Sequence, residues 1–208
     1  MEDVLLSLLV IISAYLFGSI PSAYLAGRLV KKTDIRQIGT RNMGAMNTFY
    51  QIGFWVGFSV LLMDIGKGVA ALALARALEV PEGVLLLCGF MVIVGHNWPV
   101  WLKFHGGKGG ASLIGVLSFI MPWGFPIGFG IFLLLMAITR FPTFSYGIAL
   151  WVFPFIAWFT YDDFGLVLYS IGILSFLLLR YSPRIKEIYS RAGNVKHALK
   201  RKSLKDRM

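Results

Sequence analysis

In this chain of 208 residues 57% are hydrophobic and only 14% charged, whereas soluble domains carry about 25% charged residues. A mean hydropathy of +0.73 points the same way, so a water-soluble fold is excluded. The net charge of +10 would suggest nucleic acid in a soluble protein. Here the cations gather in short stretches between apolar runs, which implies a membrane surface instead. The single cysteine, Cys88, lies inside an apolar run, which leaves no disulfide framework and no thiol metal site.

The start, Met1-Glu2-Asp3, is acidic where a cleavable signal peptide needs positive charge, so none is expected. Seven apolar segments follow, at about 4–27, 53–78, 83–102, 109–121, 123–139, 142–160 and 164–181. A crossing helix needs about 20 residues; the fourth segment is short, with five or six crossings as the fallback. With the N-terminus outside, every Lys and Arg except Lys67 and Arg76 falls on the cytoplasmic side, facing Glu79, Glu82, Asp162 and Asp163 on the other. That is the positive-inside pattern. The expectation is an all-α integral membrane protein of about seven transmembrane helices, N-out and C-in, with re-entrant polar loops at the cytoplasmic side. Residues 1–182 are read as one polytopic domain and 183–208 as a basic cytoplasmic tail lying on the anionic leaflet.

Three polar stretches interrupt this pattern. Thr33–Tyr50, TDIRQIGTRNMGAMNTFY, is far longer than a plain connector of about 2–8 residues. Its Asn and Gly tolerate positive φ, and such irregular backbone near a membrane must be packed in protein or face water. Within the second segment, Leu62–Gly68 carries Asp64 and Lys67 three residues apart, on one helical face where they can pair. The pair reads equally well as a lock between helices or as part of a site, with Lys67 a second phosphate contact. The third stretch, Gly95–Ser112, GHNWPVWLKFHGGKGGAS, combines glycines with Lys103 and Lys108. Closely spaced amides beside lysine suit a phosphate, although a solvated loop has the same composition. This is not a P-loop, since Gly109 follows Lys108. His96 opens the stretch and is a candidate general base, because imidazole titrates near neutral pH.

Phe17–Ser22, Asp34-Ile35-Arg36, Gly39, Asn42–Ala45 and Asn47 form the first of three ordered matches. Leu62–Gly68 forms the second, and Gly95-His96, Pro99, Phe104, Gly106–Gly109 and Ala111 the third. Together they resemble the bacterial acyl-phosphate:glycerol-3-phosphate acyltransferases, small polytopic inner-membrane enzymes. The chain departs from that pattern at Arg41, where the family has Gly, at Tyr50, where it usually has Arg, and at His105, where it has Lys. Arg184–Val195 occupies the place of a further family motif and matches it only at Gly193.

The resemblance implies transfer of a fatty acyl group from acyl phosphate to the 1-hydroxyl of glycerol-3-phosphate, giving lysophosphatidic acid for phospholipid synthesis. An acyl phosphate is already activated, so no nucleophilic triad, cofactor or metal is needed. The implied catalytic residues are His96, Lys108 and Thr40. The implied substrate contacts are Arg36, Arg41, Asn42, Gly44, Asn47, Lys67, Gly106, Gly107 and Gly109. The implied partners are the two substrates and membrane phospholipids, with no nucleic acid, and the chain is taken as a monomer. The competing readings are a small-anion transporter, which also uses broken helices, and a family member that binds acyl phosphate or lipid without turnover.

Overall fold

The structure, a computed structural model, describes the backbone of residues 2–192 and the side chains of residues 3–183. Among the described residues every regular element is helical. The seven apolar segments each become helix, and five helical runs are long and apolar enough to cross a membrane: Asp3–Lys31, Phe54–Ala77, Glu82–Leu102, Pro142–Phe159 and Phe164–Pro183. Gly110–Ile120 and Gly124–Thr139 are apolar but shorter. The chain divides into two compact units, 1–120 and 121–208.

The first unit begins with α1 (Glu2–Ser19) and α2 (Ser22–Lys31). They are separated at Pro21, whose ring supplies no N–H and opens the helix there. The expected segment 4–27 is therefore a broken helix that also extends further. A 3-10 turn at Ile35–Gln37 and α3 (Ala45–Gln51) build the first polar stretch. Asp34 caps the turn by accepting from the Arg36 amide. Then come α4 (Phe54–Ala77), α5 (Glu82–Asn97), a 3-10 turn at Val100–Leu102 and α6 (Gly110–Ile120). Helix α5 stops before Pro99, since the residue preceding proline is disfavoured in helical conformation.

Close approach between helices comes from small residues, which is how helices pack where lipid provides no hydrophobic drive. On the α1–α5 seam, a β-carbon at Gly18 would collide with the Val92 carbonyl, and one at Gly95 with the Tyr15 carbonyl. On the α4–α6 seam, Gly68 lies against Ser112 and Gly115 against Ile65. The outward faces carry exposed apolar side chains such as Leu5, Leu8, Leu62 and Leu74, as expected of surfaces meeting acyl chains. Beneath the first polar stretch, Ala23, Ile35, Met43 and Val60 form an apolar floor joined by Leu102.

The second unit holds α7 (Gly124–Thr139), α8 (Pro142–Ala149), α9 (Val152–Phe159) and α10 (Phe164–Ala192). The expected segment 142–160 is split, because Pro154 has no N–H to give to the preceding turn. Thr139 Oγ1 accepts from the Phe141 amide and bonds the Ser145 hydroxyl, closing the α7–α8 corner. The motif expected at Arg184–Val195 and the basic tail lie outside the residues whose side chains are described.

Candidate active site

Within the first unit the two glycine-bearing stretches meet. A β-carbon at Gly107 would collide with both the Met43 carbonyl oxygen and His96 Nε2, so the backbones of the two stretches touch at that point. Arg36 adds a second link, donating from one terminal nitrogen to the His105 carbonyl at 3.5 Å.

The first stretch is organised by Asn47, which is buried. Its side-chain oxygen accepts from the Thr40 amide at 3.0 Å, while its nitrogen donates to the carbonyls of Ile35, Ile38 and Asn42 at 3.0, 3.1 and 3.1 Å. One amide thus ties together four backbone groups of a largely irregular segment, its two N–H hydrogens shared among three carbonyls. Gly39 turns the chain at φ +58°, and a side chain there would strike Asn47. Arg41 adopts φ +58° as well, a conformation that costs a side-chain-bearing residue about 1–2 kcal/mol. Its side chain is exposed. Thr40 Oγ1 accepts from the Asn42 amide at 3.4 Å, and Gly44 caps α3.

Arg36 forks onto Asp34, with Nε at 3.0 Å from one oxygen and a terminal nitrogen at 2.8 Å from the other. Its guanidinium also lies 5.2 Å from the centre of the Tyr24 ring. The hydrogen bond from Arg36 holds the Asp34 carboxyl below its usual range, and the same bond raises the guanidinium further. Tyr50, half-buried on α3, has its phenol pushed up by burial. It stays neutral at physiological pH and does not replace a cation.

The second stretch closes on itself. The amides of Gly106 and Gly107 donate to the carbonyls of Asn97 and His96 at 3.2 and 3.0 Å. These two N–H groups, expected to face a ligand, are engaged by protein. The amides left for an anion are those of the first turn of α6, Gly110–Ser112, which have no intrahelical acceptor. Gly109, at φ +84°, makes the turn into α6, and a β-carbon there would meet Ile93 and Asn97. Lys108 sits half-buried between them.

Below this turn lies a cluster of buried charge. Lys67 Nζ is 3.0 Å from Asp64 Oδ1, 2.8 Å from His96 Nδ1 and 3.2 Å from the Ile20 carbonyl at the α1–α2 break, which also accepts from the Ser22 amide. The ammonium expected as a phosphate contact therefore spends its donors inside the protein. Ser22 donates to Asp64 at 3.0 Å, and Ser112 approaches His96 Nδ1 at 3.4 Å. Sequence reasoning placed Ser22 in the first match and Ser112 at the end of the third stretch but gave neither a role, because a lone serine carries no spacing signal. It missed Asn97, whose fully buried side-chain amide under Gly109 has no hydrogen-bond partner among the described residues.

The family description Glycerol-3-phosphate acyltransferase matches residues 8–191. Glycerol-3-phosphate acyltransferase 2 of Dehalococcoides mccartyi strain CBDB1 is 51% identical over 210 residues, covering 100% of both chains. The protein of the same description from Moorella thermoacetica is 36% identical over 87% of this chain and 93% of its own. A crystal structure of PlsY (YgiH), an integral membrane glycerol 3-phosphate acyltransferase, in its glycerol 3-phosphate form, matches with a TM-score of 0.78. It is 25% identical and covers 88% of this chain and 92% of that one. Fold, ordered polar stretches and full-length relatives agree, and the chain belongs to the glycerol-3-phosphate acyltransferase family.

Proposed function

We propose that this multi-pass membrane acyltransferase moves a fatty acyl group from acyl phosphate to the 1-hydroxyl of glycerol-3-phosphate, releasing phosphate and lysophosphatidic acid. The observation that carries the reading is the backbone meeting of Met43 and Gly107. It brings the two cation-bearing stretches into contact, which supports a reaction joining two phosphate-bearing substrates.

Lys108 and the first-turn amides of α6 hold the phosphate of the acyl donor and the charge that develops on it. Arg36, Arg41, Thr40 and Asn42 orient glycerol-3-phosphate so that its hydroxyl oxygen faces the acyl carbon. The hydroxyl oxygen bonds to that carbon, the carbon–oxygen bond to phosphate breaks, and the hydroxyl proton passes to a phosphate oxygen. Asn47 and Gly44 hold the first stretch in shape. Gly106, Gly107 and Gly109 do the same for the second, and Lys67 supports it from below. The acyl tail extends among apolar helices, which supports a location in the bacterial inner membrane with the site toward the cytoplasm.

The purified full chain in detergent, given acyl phosphate and glycerol-3-phosphate, is expected to form lysophosphatidic acid and phosphate in equal amounts. Anion flux in liposomes without acyl transfer would make it a transporter. Binding of acyl phosphate without turnover would make it a non-catalytic relative.

A further inference from the structure

The buried cluster constrains His96 more tightly than a pairwise list suggests. An ammonium has three N–H donors and no acceptor. Those of Lys67 are met by Asp64 Oδ1, the Ile20 carbonyl and His96 Nδ1, and the shortest of the three distances is the 2.8 Å to the imidazole. Asp64 also accepts from Ser22; its Oδ1 is 3.0 Å from the Lys67 ammonium, for which it is the counter-ion, and a longer 3.6 Å from His96 Nδ1. With Lys67 donating, Nδ1 of His96 must accept. A proton on Nδ1 would set two donors against each other at 2.8 Å in a place that water does not reach: Asp64, Lys67 and His96 are 1%, 5% and 3% exposed. The ring proton is therefore on Nε2, the nitrogen that faces Gly107 and the Met43 carbonyl.

We infer that Asp64 and Lys67 are positioning residues that lock His96 as the Nε2–H tautomer. His96 is thereby a hydrogen-bond donor at the seam of the two substrate-holding stretches and not a proton acceptor. Neither ring nitrogen can act as a base: one lone pair is engaged by Lys67, and the other nitrogen already carries hydrogen. The reaction's proton must go elsewhere, which agrees with transfer to a substrate oxygen. The inference rests on the reading of Gly106–Gly109 as part of the substrate-holding site.

The test is the nitrogen spectrum of the full chain labelled with nitrogen-15 histidine, in detergent across the neutral pH range. In a His105→Gln/His197→Gln chain, His96 is the one remaining imidazole. A hydrogen-bearing Nε2 and a bare Nδ1 are expected throughout. A proton on Nδ1, or on both nitrogens, would overturn the inference. Replacing Asp64→Leu together with Lys67→Met should let both tautomers appear and lower kcat with little change in KM; a single Nε2–H tautomer persisting there would show that the pair does not set it. His96→Gln keeps an N–H donor where Nε2 stood but has no basic nitrogen. It should lose no more than about tenfold in kcat, the upper scale of one imperfectly replaced hydrogen bond. A loss of 10²–10⁴-fold in a folded variant, the scale of general-base removal, would sink the inference. The spectrum is read without turnover, so the expected tautomer in a chain that transfers no acyl group rejects the proposed reaction and leaves the lock intact.

Discussion

Two acid–base pairs of the first unit, Asp34–Arg36 and Asp64–Lys67, use the same chemistry to opposite ends. Arg36 is partly exposed, forks onto Asp34 and still reaches His105 across the seam. Its pair has a buried carboxylate and a guanidinium that water still reaches. Lys67 is enclosed by α4, α5 and the break between α1 and α2, and its donors all have protein acceptors. The difference teaches that a cation's burial and partner count, more than its presence in a polar stretch, decide whether it can meet a substrate. By that measure Arg36 and Arg41 are the proposed substrate contacts and Lys67 the proposed support.

Breaking the inner pair should cost most. Asp64→Asn leaves the Lys67 charge without its counter-ion and should destabilise the protein by about 3–5 kcal/mol, seen as a lowered Tm in detergent. Asp34→Asn, where the carboxylate is buried but its partner Arg36 is partly exposed to water, should cost less, about 1–3 kcal/mol. Equal losses would erase the distinction between the pairs.

Lys108→Ala should lower turnover by about 10²–10³-fold, the scale of losing one group that stabilises developing charge, with its Tm little changed. Unchanged activity would remove Lys108 from the site. Asn47→Ala strips the first stretch of its side-chain bonds and should destabilise by about 1–3 kcal/mol. KM for glycerol-3-phosphate should rise, and tryptic cleavage at Arg36 and Arg41 should quicken.

Arg41→Gly separates backbone from charge. Relief of the positive φ should stabilise by about 1 kcal/mol, while loss of the guanidinium raises KM for glycerol-3-phosphate several-fold. A rise in Tm with unchanged KM would place Arg41 outside the substrate contacts.

The smallest effect concerns pH. Asp34 has its carboxyl lowered, chiefly by Arg36, so its contribution is full above the unfolded carboxyl value of about 4. It is lost as pH falls from there through the folded value. Acidification through that window should speed tryptic cleavage of the 34–44 loop in the parent chain, and Asp34→Asn should abolish that dependence.

Much of this molecule could be read from residue order. Apolar runs bounded by cations announce membrane helices because the bilayer enforces their length. Pro21 and Pro154 mark the places where helices open. The three-residue spacing of Asp64 and Lys67 foretold their 3.0 Å contact, since both sit on one helix. The partner that gives the pair its meaning, His96, lies 29 residues further along the chain, and no local period connects the two. For the same reason Asn47 looked like a substrate ligand, whereas its amide is consumed by carbonyls 5 to 12 residues back.

Sequence by itself settled that this chain is helical and membrane-embedded, and nominated the stretches proposed to carry its chemistry, because hydropathy and glycine-lysine composition are local properties. Tertiary structure alone decided which cations face outward, which amides already have partners and which imidazole nitrogen meets Lys67. Those depend on approach between stretches distant in the chain, where one neighbouring carbonyl or ammonium determines whether a donor is spent or left for a ligand.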